Sequence, residues 1–112
     1  MNSTLLSQKV TTFYPQKYLS ANNAEQFAQE LQAVIETSKR SPLLVNMENV
    51  EFIDSAGLMI LIEAFRFAKD LDCRMSFCSV AAPVKMVLEL TQLDNVFNIF
   101  DNQDSFTQSQ AA

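Results

Sequence analysis

Leu43-Leu44-Val45-Asn46-Met47-Glu48-Asn49-Val50-Glu51-Phe52-Ile53-Asp54-Ser55-Ala56-Gly57-Leu58 is the stretch whose reading decides the fold. Leu43 to Met47 is apolar except for Asn46, the pattern of a central strand covered on both faces. Glu48 to Glu51 turns, and Phe52-Ile53 delivers the chain to Asp54-Ser55. Beyond it Leu58, Leu61, Ile62, Phe65 and Ala68 recur at three- and four-residue steps. That spacing predicts an amphipathic helix from Ala56 to about Leu71, with Glu63, Arg66, Lys69 and Asp70 on its wet side. Met59 and Ile60 fall off the core stripe, so the first turns are apolar nearly all round, either buried or kept for a partner.

Outward from this unit, the pattern yields one element after another. Residues 1–7 are polar and expected to fray. Lys9 to Tyr14 reads as a strand, Pro15-Gln16 as a turn and Lys17 to Leu19 as a second short strand, together a hairpin at a sheet edge. Ser20, Asn22 and Asn23 are candidate N-caps for a helix marked by Ala24, Phe27, Ala28, Leu31, Val34 and Ile35 and ending near Lys39-Arg40. Cys73 to Val80 is a third interior strand. Pro83 suits the first turn of a helix with Val84, Val87, Leu88 and Leu90 inward. Val96 to Phe100 is a last strand, and Asp104 to Ser109 a short polar helix. The order β-β-α-β-α-β-α-β(-α) implies an α/β fold. Its sheet is mixed and mostly parallel, preceded by an N-terminal hairpin strand and covered by helices. One domain is expected across residues 1–112, with its core about 9–107.

Composition narrows the function. Net charge is −5 with 8 Lys+Arg, and no basic stripe or cluster suggests nucleic acid or anionic lipid. The longest apolar run, Ala56 to Ile62, is far short of the ~20 residues of a membrane span, and no signal peptide is evident. A cytoplasmic protein without a membrane partner is expected. With no histidine, the commonest general base, the commonest metal ligand and the usual partner of a nucleophilic serine are missing. No catalytic residue, metal or cofactor is therefore assigned. Cys73 and Cys78, five apart in one expected strand, lie about 16 Å apart on opposite faces, beyond the ~7 Å Cα separation a disulfide allows. They read as buried thiols.

The chemistry concentrates at Ser55. One reading makes it the N-cap of the helix; another makes it a phosphate acceptor at the positive end of the helix dipole, and the two are compatible. In the second, the N–H groups of Gly57 and Leu58 receive phosphoryl oxygens and Asp54 sharpens the change of charge. Gly57 is the only glycine, where ordinary usage of ~7% would give about eight. It serves either close packing of helix on strand or close approach by a phosphate or kinase. A nucleophile elbow needs G-x-S-x-G; the first glycine is absent and no histidine activates the hydroxyl.

At these residues, from Leu43 to Leu58, the chain resembles the STAS domain, the family of anti-sigma factor antagonists and sulfate-transporter tails. The element order suits that family from roughly Val10 to Phe106. The resemblance implies a partner-switching cycle in signal transduction and transcription regulation. The unphosphorylated antagonist binds an anti-sigma factor, a serine kinase of histidine-kinase-like ATPase fold. Phosphorylation of the serine matching Ser55 releases it, and a PP2C-type phosphatase resets it. Partner contacts are expected from Asp54, Ala56, Gly57, Leu58, Met59 and Ser20. Two departures stand out: Lys17-Tyr18-Leu19-Ser20 keeps only the leucine of a Gly-x-Leu-Asp stretch, and Asn46 replaces an aspartate. Both remove a carboxylate expected near the phosphoacceptor. Two other functions are open: a constitutive interaction or scaffold module docking through Leu58-Met59, and an enzyme or small-molecule binder using Asp54 and Ser55.

Overall fold

The computed structural model describes residues 9–111; the fraying expected at 1–7 lies outside them. Among the described residues six strands and four helices follow in order: β1 (Thr11–Phe13), β2 (Tyr18–Leu19), α1 (Ala24–Thr37), β3 (Pro42–Asn46), β4 (Phe52–Ile53), α2 (Ser55–Asp70), β5 (Arg74–Cys78), α3 (Ala82–Leu90), β6 (Asn98–Phe100) and α4 (Gln103–Ala111). A 3-10 turn, Leu93–Asn95, precedes β6. The main sheet runs β1-β3-β5-β6, and β2 pairs with β4 in a separate two-stranded ribbon. Every described pairing is parallel.

The α/β layering and the parallel sheet match the sequence reading, but the hairpin does not form. Thr11 to Phe13 pair with Leu43 to Val45, while Tyr18 and Leu19 pair with Phe52 and Ile53. Pro15 is buried between the two strands and turns the chain from one sheet to the other. The two segments thus become parallel partners of different strands, and Phe52-Ile53, read as a mere lead-in, is a strand.

Alternation along β3 divides the core. Leu43, Val45 and Met47 join Met75 and Phe77 on the face covered by α1, α2 and α3, which contribute Phe27, Leu31, Ile35, Leu61, Ala64, Ala68, Val84 and Leu88. Each large apolar side chain so buried contributes roughly 1.5–3 kcal/mol. Leu44 and Cys78 point to the other face, where α4 covers them with Phe106. That ring meets Phe100 edge-on at 5.4 Å. Cys73 and Cys78 are buried free thiols serving opposite faces, although Cys73 precedes β5 instead of lying within it. Leu90 does not face inward: it is 78% exposed, because α3 ends there and Gln92 turns the chain away at φ 62°.

Candidate functional site

The helix cap is one residue earlier than a serine cap would be. Asp54, in extended conformation at φ −108°, is the N-cap of α2, and Ser55 is its first helical residue. Aspartate and serine rank together as caps, so the sequence alone could not separate them. The Asp54 Oδ1 accepts the Gly57 N–H at 3.0 Å, and its carbonyl accepts the Leu58 N–H at 2.9 Å. Both N–H groups expected to take phosphoryl oxygens are therefore occupied by Asp54.

The second carboxylate oxygen of Asp54 reaches 33 residues back. Oδ2 accepts the Ala21 N–H at 3.1 Å. The turn that aims this N–H is held by Asn23, whose Oδ1 accepts the Ser20 N–H at 3.0 Å and whose Nδ2 donates to the Tyr18 carbonyl at 2.6 Å. One carboxylate thus ties the β2–α1 loop to the start of α2. The N–H of Gly57, then that of Ala21, holds its pKa below the ordinary 3.8, since both favour the charged form. Asp54 is therefore an anion at neutral pH whose oxygens are spent on the fold.

Gly57 lies beneath this cap. It is buried, and a Cβ there would stand 2.3 Å from the Leu19 carbonyl oxygen. That same oxygen accepts the Asp54 N–H at 3.0 Å. Of the two readings of this glycine, the structure supports close packing: its backbone is under the site, not on its surface. Ala56 and Leu58 are half-buried, and Leu58 packs on the core. Ser20 is half-buried in the loop strapped by Asp54, so it belongs to the same surface.

Ser55 is left exposed, with its hydroxyl outside the cap. Met59, one helical turn on, is 53% exposed. Two further residues complete the surface. Tyr18 and Phe52 are register partners on the β2–β4 ribbon, each about half exposed, while their neighbours Leu19 and Ile53 are buried. Lys17 lies 5.5 Å from the Tyr18 ring centroid and 3.7 Å from the Glu51 carboxylate. The sequence reading missed these aromatics; their signal was the repeated pairing of an aromatic residue with a following aliphatic, Tyr18-Leu19 and Phe52-Ile53, in two segments too short to show a period. Asn46 is not part of the site. Its amide donates to Gln103 at 3.3 Å and accepts from the Glu48 N–H at 3.0 Å, on the side of α4.

Chemically, this arrangement offers an exposed nucleophilic hydroxyl at a positive helix end, beside a carboxylate, with the half-exposed apolar groups of Met59 and Phe52 close to it in the chain. Comparison with known proteins bears on the chain as a whole. A family model described as STAS domain matches residues 4–106. The chain is 21% identical over 85 residues to an anti-sigma F factor antagonist of Paenibacillus polymyxa, covering 76% of this chain and 73% of that one. The fold superposes on an anti-sigma factor antagonist from Mycobacterium paratuberculosis with a TM-score of 0.79 at 21% identity, covering 92% of this chain and 86% of the other. It also superposes on the anti-sigma factor antagonist SpoIIAA in its unphosphorylated form, with a TM-score of 0.71 at 14% identity, covering 94% and 91%.

Proposed function

The chain belongs to the STAS domain family, and on that premise we propose that it is an anti-sigma factor antagonist switched by phosphorylation of Ser55. Unphosphorylated, it binds an anti-sigma factor that is a serine kinase of histidine-kinase-like ATPase fold. Phosphorylation releases it, and a PP2C-type phosphatase restores the binding form. It acts in the cytoplasm as ligand and substrate and catalyses nothing itself. Among the described residues no helix is long and apolar enough to cross a membrane. The relatives that carry the antagonist name support the role, and the unphosphorylated form named for one of them supports the switch.

The observation that carries this reading is the division of labour between Asp54 and Ser55. Asp54 caps the helix and straps the loop, so Ser55 is exposed and can be modified without losing the cap. A phosphate adds about −1.5 to −2 charges at pH 7. Placed on the first residue of α2, it gains from the helix dipole but stands next to the Asp54 carboxylate. The fold gains and loses little. The surface of Tyr18, Phe52 and Met59 does not: a partner that desolvates it must also desolvate a dianion. Release follows from charge, without a change of backbone.

The test is calorimetric titration with the cognate anti-sigma factor, paired with mass spectrometry after incubation with ATP. Native protein and Ser55→Ala are expected to bind alike, Ser55→Asp at least about tenfold more weakly, and only the native protein to gain a phosphate. Full-stoichiometry phosphorylation of Ser55→Ala would show that the acceptor lies elsewhere.

A further inference from the structure

At the far end of α2 from Ser55 lies a cleft of about 620 Å³, within the ordinary size of small-molecule sites. Arg40, Lys69 and Arg74 line it, together with Phe65, Met75 and Asp72. Three of the chain's 8 Lys+Arg thus meet around one hollow, against a single carboxylate, in a protein of net charge −5.

Service to the helix ends is the ordinary explanation for basic residues here, because α1 and α2 both terminate at this pole. The hydrogen bonds argue otherwise. Two of the last four carbonyls of α1 are taken by the Ser38 N–H, which donates to Ile35, and by the Thr37 and Ser38 hydroxyls, which donate to Val34. Those of α2 are taken by the N–H groups of Leu71 and Cys73, donated to Ala68, and of Asp72, donated to Lys69. Backbone and hydroxyl groups thus take several of the terminal carbonyls at both ends, and Arg40 serves the α2 end through its backbone N–H, which donates to Leu71 at 3.1 Å, not through its guanidinium. Among the described residues neither Arg40 nor Lys69 enters a salt bridge. Lys69 rests 5.5 Å from the Phe65 ring centroid, which draws its charge over the apolar wall. Arg40 and Asp72, at φ 62° and 57°, are non-glycine residues held in left-handed conformation at the rim.

We propose that this cleft binds a small organic anion with an apolar body, its acidic group between Arg40 and Lys69 and its body against Phe65. The Arg40 guanidinium favours a planar, multidentate acid such as a carboxylate, sulfonate or phosphate. The site does not depend on the reading of Ser55, which lies at the opposite pole.

The probe is 8-anilino-1-naphthalenesulfonate, an aromatic body bearing one sulfonate, titrated by fluorescence and by amide chemical shifts. Shifts are expected to cluster at Phe65, Lys69, Cys73 and Asn98, which share the cleft. Arg40→Gln with Lys69→Gln should weaken binding about tenfold, as should raising NaCl from 50 to 500 mM with the native protein. Uncharged N-phenyl-1-naphthylamine should bind at least about tenfold more weakly. Shifts centred on Tyr18 and Phe52, binding unchanged in the double variant, or equal affinity for the uncharged analogue would each overturn the proposal. The substituted side chains are exposed, and the salt series on native protein provides an answer without any variant.

Discussion

Replacing Gly57 with alanine tests the packing on which the site rests. The new Cβ would stand 2.3 Å from the Leu19 carbonyl oxygen, 2.8 Å from its carbonyl carbon and 2.9 Å from its Cβ. Ordinary contact starts at 3.4 Å. To restore it, β2 must retreat by roughly 1 Å, and two of the three atoms are backbone, so no rotamer change relieves the clash. The retreat strains the Asp54 N–H bond to Leu19, now 3.0 Å, and the Glu51 N–H bond to Lys17, now 2.8 Å. Overpacking of this kind costs about 1–3 kcal/mol, and a weakened hydrogen bond adds up to ~1. Helix propensity works the other way, favouring alanine by up to ~1 kcal/mol. Net destabilisation is about 1–3 kcal/mol, or a Tm lower by roughly 4–12 °C for a domain of this size. Thermal melts followed by circular dichroism, with urea midpoints, measure it. Amide exchange should accelerate at Asp54 and Glu51 and not in β3. A Gly57→Ala protein that melts at or above the native temperature, as propensity alone predicts, would refute the close approach of β2 to α2.

Other expectations follow from the same geometry. Because folding lowers the Asp54 pKa below 3.8, its charged form stabilises the protein above that pH, and the contribution is lost as pH falls through the folded value. Asn caps as well as Asp but does not titrate. Urea midpoints should therefore show Asp54→Asn less stable than native protein at neutral pH, with the two converging in the acid range below 3.8. Ser55→Asp, a surface change outside the cap, should move stability by no more than ~0.5 kcal/mol, so a large fall in Tm would contradict the exposed position of this serine. Burial raises the pKa of both thiols, and neither should react with a disulfide reagent in the native state. Phe106→Ala removes the aromatic cover of Cys78 but touches no part of the cluster that holds Cys73. Labelling of Cys78 should then accelerate about tenfold or more while Cys73 stays protected; equal acceleration of both would mean that α4 does not open by itself.

Much of this was legible in the residues, and the failures share a cause. The helix from Ser55 to Asp70 and the strands around Val45 and Phe77 carry enough apolar periodicity to be read without a partner. Pairing of β1 and β2 was not legible. Two short extended segments joined by Pro15-Gln16 look alike whether they pair with each other or with strands 32 and 34 residues further on. Only the long-range packing of Leu19 against α2 separates the two arrangements. The cap was ambiguous because Asp54 and Ser55 have similar propensities, and helical geometry alone decides which side chain meets the Gly57 N–H. The lone glycine does mark a place where backbone comes close. What approached it was the chain's own β2.

The axis of α2 has its own consequence. Its 16 residues span about 24 Å, with the serine at the first and the cationic hollow beside the last turn. The two proposed sites share no residue, so occupation of one removes no contact from the other. Any influence of one on the other is a coupling free energy that acts equally in both directions, and α2, packed on α1 and β5, is the element that the two places share.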